Sequence, residues 1–245
     1  MKTYVVIPTK LFPPYLDQLL GTLELDRSIE KIYLVVNDAT PRILLRNHTT
    51  CGDNVPEIER INGVGLSIYE MWNKVWDHIK LNNPFTPFNI AFLNDDIELK
   101  PNTIMLLAHN LRGSYYKDLA VLSPDINASW NKPEYWFNGM ANPFIDIEYT
   151  EITAGAGGMT GYCFIVKGEI DFKFDENLRL YWGDDDLVKQ MILKGYKVGK
   201  LLELPIKHHT STTISQMNPA ERVNIMEKDR AYFNQKYGEQ RGPVW

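Results

Sequence analysis

Apolar positions in the first half of the chain alternate between two rhythms. Residues 4–7 form a short unbroken apolar run closed by Pro8, the pattern of a strand covered on both faces. Leu16, Leu19, Leu20 and Leu23 follow at helical spacing behind Pro14, which suits a first helical turn, so a helix is predicted over 14–25. The alternation continues with a strand at 32–36 closed by Asn37-Asp38, a strand at 58–61, and a helix over 66–79 whose apolar stripe is 68, 71, 72, 75, 76 and 79. A strand at 89–93 then runs into Asn94-Asp95-Asp96, followed by a helix over 102–111 and a strand at 120–122. Strands alternating with helices predict an α/β fold with a mostly parallel central sheet flanked by helices. The polar turns fall after strand ends, where open α/β sheets bind ligands.

The second half is less regular. Residues 130–149 are rich in aromatics and Asn and read as a long surface excursion. A glycine cluster at 155–161 precedes a strand-like run at 162–166, a short helix is predicted over 186–194 with Gly195 at its end, and a strand at 198–204 runs on to His208-His209. The last helix opens with Asn218, Pro219 and Glu221 in a capping-box pattern and extends to about residue 237. No internal repeat is present. The chain reads as one domain over 1–215, with halves 1–125 and 126–215, and a C-terminal helical extension over 216–245.

Composition narrows the class. The 245 residues are 44% hydrophobic and 23% charged, with a net charge of −5 and a pI near 5.6, as in a soluble globular protein. The acidic balance argues against free nucleic acid as a partner, which needs a basic face. Two cysteines, Cys51 and Cys163, fit a reducing, cytoplasmic setting better than a disulfide scaffold. The apolar run at the N-terminus is too short for a secretion signal, and no run approaches the roughly 18–20 residues of a membrane span.

Four segments carry candidate chemistry. Asp95 and Asp96 sit at the lip of an apolar strand; carboxylates there suit either a polar turn or a hard divalent cation, Mn²⁺ or Mg²⁺, that also binds substrate phosphates. Trp182-Gly183-Asp184-Asp185-Asp186 opens a helix. One aspartate is explained as an N-cap, three are not, and crowding of like charge raises a carboxylate's pKa toward that of a general base. His208 and His209 are metal candidates only alongside those acids. The cluster Gly155-Ala156-Gly157-Gly158-Met159-Thr160-Gly161 matches neither a dinucleotide fingerprint nor a P-loop and reads as a turn lining a pocket. There is no C-x-x-C, no H-E-x-x-H and no evident Ser or Cys nucleophile with a partnered base.

Taken in order, these segments resemble the family 2 glycosyltransferases of the GT-A fold. Residues 4–9 (YVVIPT) are similar to the opening strand, 34–40 (LVVNDAT) to the second strand and its nucleoside-binding turn, and 93–99 (LNDDIEL) to the D-x-D metal motif. Phe174-Asp175-Glu176, then 183–187 (GDDDL) and 194–198 (KGYKV), resemble the F-D-E, E-D-x-D-L and G-Y-x-V signature. The resemblance spans about residues 3 to 213 and implies a nucleotide-sugar-binding half over 1–125 and an acceptor-binding and catalytic half over 126–215. It implies that Thr9 and Asp38 contact the nucleoside, that Asp95, beside Asn94, lies near the ribose, and that Asp96 binds a Mn²⁺ or Mg²⁺ bridging the diphosphate. It further implies Asp184 as catalytic base and His208 as the late histidine at the metal, with His209 the other candidate. Asp185, Asp186, Gly158 and Trp182 are secondary candidates. Asn94 and Gly183 depart from the pattern, standing where the family has Asp and Glu, and Asn37-Asp38 inverts an Asp-Asn order.

The implied reaction is inverting transfer of a sugar from a nucleotide-diphosphate donor, a UDP-sugar by preference, to an acceptor hydroxyl on a glycan, small molecule, protein or modified DNA base. Trp130, Tyr135, Trp136 and Phe137 form either an acceptor platform or ordinary packing. The alternatives are a sugar-phosphate nucleotidyltransferase, disfavoured by the lack of glycine in the loop after the first strand, and a non-catalytic carbohydrate-binding module of the same fold.

Overall fold

A computed structural model describes residues 1–10, 15–38, 55–113, 117–125, 128–130, 147–149, 159, 161–209 and 217–238. Strand β1 (Lys2–Thr9) leads through α1 (Tyr15–Glu24) to β2 (Ile29–Val36) and β3 (Glu57–Asn62). Then come α2 (Ile68–Asn82), β4 (Phe88–Leu93), β5 (Ile97–Leu99), α3 (Thr103–Arg112), β6 (Leu119–Asp125) and β7 (Ile147–Tyr149). The chain closes with β8 (Cys163–Lys167), α4 (Gly183–Leu193), β9 (Lys197–His208) and α5 (Pro219–Tyr237).

The strands form one sheet in the order β3-β2-β1-β4-β8-β6-β9-β5, with β7 also on β9. The α/β class stands, but the sheet is mixed. Pairs among β3, β2, β1 and β4 are parallel, as is β6 with β9, whereas β8 is antiparallel to both β4 and β6 and β9 is antiparallel to β5 and β7. Parallel pairing therefore dominates only the first half, where α1 links β1 to β2 and α2 links β3 to β4 as crossovers between parallel strands.

The apolar run of β1 is unbroken because helices cover both faces. Val5 and Ile7 pack with Leu16, Leu19, Leu20 and Leu23 of α1, and Tyr4 and Val6 face Trp72, Val75 and Trp76 of α2. The α2 face is aromatic: Trp72 lies 4.8 Å from Phe174 and Phe92 lies 5.2 Å from Phe164, pairs worth about 0.5–1.5 kcal/mol each beyond their burial. Buried Asn73 of α2 holds the backbone of Phe174 from both sides, donating to its carbonyl at 2.8 Å and accepting from its N–H at 3.0 Å. A capping box not anticipated from the sequence starts α2: the Ser67 hydroxyl accepts from the Glu70 N–H at 3.3 Å, and the Glu70 carboxylate accepts from the Ser67 N–H at 2.6 Å. On α5 the expected box reduces to one bond, the Asn218 side chain accepting from Ala220 N–H at 2.9 Å.

The C-terminal helix is built into the same core. Phe233 is fully buried and its ring lies 5.4 Å from Trp182. Asp186 of α4, 0% exposed, accepts from the Tyr237 hydroxyl at 2.7 Å and pairs with Lys236. Asp175, of the F-D-E segment, accepts from Tyr232 at 2.8 Å and Lys236 at 2.7 Å. Among the described residues, no helix is long and apolar enough to cross a membrane.

Candidate active site

The C-terminal ends of β1, β2 and β4 meet at one rim. The Asn37 N–H, one residue beyond β2, donates to the Thr9 carbonyl at 2.9 Å. Its side chain is spent on the turn at 63–66, donating to the Leu66 carbonyl at 3.1 Å and accepting from the Gly65 N–H at 3.2 Å. Asp38 follows it, half-buried, and is not among the residues lining the adjoining cleft. The Thr9 hydroxyl donates to Asp95 Oδ2 at 2.7 Å. Asp95 is 7% exposed, and burial pushes its carboxyl up to about 6 from an ordinary 3.8; the adjacent Asp96 charge adds to the rise, against the Thr9 hydroxyl and the Lys10 N–H. Asn94 is anchored by its N–H on the Tyr162 carbonyl at 2.9 Å. Its buried Oδ1 accepts no hydrogen bond from the described residues, a deficit a ligand donor at the cleft would cover.

Successive residues at the end of β9 point to opposite sides, which separates the two histidines. His208 stacks on Tyr162, ring centroids 4.2 Å apart, with Nε2 3.1 Å from Asp96 Oδ1. His209 stacks on Tyr15 at 4.0 Å, and its Nε2 is engaged by the Glu98 carboxylate. The pairing of β5 with β9, which sets His208 opposite Ile97, creates this arrangement; that short strand was hidden in what read as an acidic turn. Asp96 and His208 supply one oxygen and one nitrogen donor at the cleft wall, a set that fits Mn²⁺ or Mg²⁺ if substrate phosphates complete the shell. Among the described residues no group of three or more His, Cys, Asp or Glu gathers in metal-binding geometry, so phosphate oxygens would carry much of the coordination.

The acidic triad divides by side-chain direction. Helix α4 begins earlier than expected, at Gly183, so all three aspartates lie in its first turn and none is the N-cap. That position belongs to Trp182, at φ 66°. Asp184 is half-buried; its Oδ1 accepts from the Asp185 N–H at 3.0 Å and its Oδ2 lies over Gly161, 2.5 Å from where a Cβ would stand. Gly161 leads into Tyr162, which carries both the Asn94 contact and the His208 stack, so Asp184 borders the Asp96–His208 wall through two residues. Asp185 is half-buried beside it, whereas Asp186 is turned inward onto α5 and serves the core. Trp182 likewise packs on Phe233. Gly158, Cys51, Tyr135, Trp136 and Phe137 lie outside the described residues; Trp130 has Lys100 Nζ 4.4 Å above its ring. Cys163 is fully buried and burial raises its thiol far above the ordinary range, unfit for a nucleophile.

A cleft of 580 Å³ runs along this rim, lined by Thr9, Asn37, Asn94, Asp95, Asp96 and His208. Arg179 and Leu180 and, from α5, Glu221, Asn224, Ile225, Lys228 and Asp229 also line it. The helix read as an appendage thus supplies a wall of the site; the signal in the sequence was its ladder of Ile225, Asp229, Phe233 and Tyr237 at four-residue spacing. A more open groove of 690 Å³, bordered by Lys173, Asp175, Leu193 and Lys236, holds none of the rim carboxylates.

No protein-family model and no curated protein matches the chain. Solved structures do. S. aureus TarS residues 1–349 superposes with a TM-score of 0.55 at 14% identity, covering 98% of this chain and 73% of that one. The same fragment in complex with UDP-GlcNAc gives a TM-score of 0.57 at 14% identity, over 96% and 67%. A structure of a longer S. aureus TarS chain gives 0.54 at 14% identity over 98% of this chain and 44% of that one. The likeness establishes the shared fold.

Proposed function

We propose that this protein is an inverting glycosyltransferase that moves a sugar from a nucleoside-diphosphate donor, a UDP-sugar by preference, to an acceptor hydroxyl, and that it works in the cytoplasm. The observation that carries the reading is convergence. Thr9 with Asp95 and Asp96 with His208 come from distant parts of the chain to line one 580 Å³ cleft at the rim of the sheet; Asp184 is outside that lining and is linked to it only through Gly161 and Tyr162. The fold supports it, since TarS, a glycosyltransferase, shares it and one of its structures holds UDP-GlcNAc.

On this reading the nucleoside enters beside Thr9 and Asp38, with Asp95 held toward the ribose by the Thr9 hydroxyl. Asp96 and His208 would hold a divalent ion, which when bound would offset charge on the diphosphate. Asp184 takes the proton from the acceptor hydroxyl as that oxygen attacks the anomeric carbon, whose bond to the diphosphate oxygen breaks to release the nucleoside diphosphate. Its contact with Gly161 leaves no room for a side chain at that position.

A panel of nucleotide sugars with Mn²⁺, read by thermal shift and by release of nucleoside diphosphate, tests the class, because a true donor raises the melting temperature by mass action. Asp184→Asn is expected to abolish transfer while leaving donor affinity within about threefold, as for loss of an interaction made only in the transition state. Turnover of that variant near the wild-type rate removes Asp184 from the base role.

A further inference from the structure

Asp229 is a buried carboxylate that the proposed chemistry leaves unused. It lies on α5, is 2% exposed, and receives three consecutive backbone N–H groups from the turn before α4. Arg179 N–H is 3.1 Å from both of its oxygens, and Leu180 and Tyr181 N–H groups each donate to Oδ2 at 2.9 Å. Successive amides converging on one anion form a concave nest. The same turn is gripped from its other side by Tyr69 of α2, whose hydroxyl donates to the Leu180 carbonyl at 3.1 Å and accepts from the Gly183 N–H at 3.0 Å. Between the two grips the chain passes through Trp182 at φ 66°, a conformation few non-glycine residues adopt, and emerges at Asp184. A sparsely populated backbone state persists only where its surroundings over-determine it. Here the surroundings include one carboxylate and one phenol, from two helices remote in sequence, beside the packing of Trp182 on Phe233.

We infer that Asp229 and Tyr69 are positioning residues: together they clamp the turn 179–183 and so set the direction in which Asp184 is presented to the acceptor. The inference rests on the reading of Asp184 as the base. It gives α5 a role in catalysis through geometry, because the helix that carries Asp229 is tied to α4 a second time by Lys236 and Tyr237 on Asp186. Asp229→Asn keeps the volume but removes the charge, and with its amide oxygen in the Oδ2 position it turns an NH2 group toward the Arg179 N–H.

Two variants test the clamp: Asp229→Asn, and Tyr69→Phe, which loses only the hydroxyl and keeps the ring in place should the first fold poorly. Hydrogen exchange at the amides of 179–183 reads the clamp itself, and kcat, donor KM and UDP affinity by calorimetry read its consequence. The expected result is faster exchange at those amides and a kcat lower by about ten- to a hundredfold, the size of a misplaced catalytic group. UDP affinity should stay within about threefold, because the Asp229 carboxylate, although in the cleft lining, is engaged by the backbone N–H groups of 179–181. A kcat within about twofold of wild type in a variant whose amides have lost protection overturns the inference, as does unchanged protection. A UDP affinity that falls in parallel with kcat also overturns it, since the defect would then lie in donor binding. Asp184→Asn assayed alongside separates the two levels: an inactive Asp184→Asn with near-normal clamp variants sinks the clamp alone, whereas an active Asp184→Asn sinks the base assignment and the clamp's purpose with it.

Discussion

Replacing Gly183 with alanine adds one methyl group where the Tyr69 ring already lies. An ideal Cβ at 183 would stand 2.1 Å from Tyr69 Cε1 and Cζ and 2.3 Å from its hydroxyl oxygen. The backbone at 183 is outside the left-handed region, so the obstacle is space alone. Tyr69 has little freedom to yield. It is 4% exposed, its hydroxyl is bonded to Gly183 and Leu180, and its ring sits 5.7 Å from Trp72 and 6.2 Å from Phe174. Overpacking costs about 1–3 kcal/mol, and displacing the ring breaks two hydrogen bonds at about 1 kcal/mol each. Alanine's better helix propensity returns about 0.5–1 kcal/mol. The net expectation is a loss of about 2–4 kcal/mol, or about 5–15 °C in melting temperature for a chain of this size. Thermal and urea unfolding of Gly183→Ala, Tyr69→Ala and the double variant provide the assay. With the ring gone, the added methyl should be neutral or slightly stabilising, giving a coupling of about 2 kcal/mol or more between the two sites. A single variant melting within about 2 °C of wild type, or an additive cycle, refutes the steric argument.

Two further outcomes follow from the rim. Asp96→Ala and His208→Ala should each weaken UDP binding in Mn²⁺ by about tenfold, about 1.4 kcal/mol, while affinity in EDTA stays nearly unchanged; calorimetry showing equal losses with and without the ion would remove both from the metal wall. Because burial holds the Asp95 carboxyl up at about 6, the folded protein keeps its proton to higher pH than the unfolded chain. The stability cost therefore begins as pH rises past the ordinary value of 3.8 and is complete above about 6, reaching about 3 kcal/mol at about 1.4 kcal/mol per pH unit. Asp95→Asn lacks that titration, so in EDTA the stability difference, variant minus wild type, should grow by about 2 kcal/mol between about pH 4.5 and pH 8. A pH-independent difference by urea unfolding argues that Asp95 is not the strained group.

Local pattern alone carried much of this protein. Runs such as Val5-Val6-Ile7 declare strands covered on both faces, and the stripe through Met71, Trp72, Val75 and Trp76 declares a helix lying on one of those faces. These are properties of near neighbours in the chain, governed by a repeat of two or 3.6 residues. The placement of Asp95 and Asp96 was legible for the same reason: they stand next to a strand end that periodicity can place. What no periodicity encodes is the direction of a side chain relative to a distant element. Asp184, Asp185 and Asp186 are chemically alike in the sequence; only the docking of α5 turns Asp186 inward to Lys236 and Tyr237 and leaves Asp184 toward Gly161. His208 and His209 are distinguished only once β5 pairs with the end of β9 and presents Asp96 to one and Glu98 to the other. The turn to a mixed sheet at β8, the seating of α5 on the cleft and the exclusion of any side chain at position 183 have the same origin. Each is set by contacts between residues many positions apart, whose geometry exists only once the core has formed.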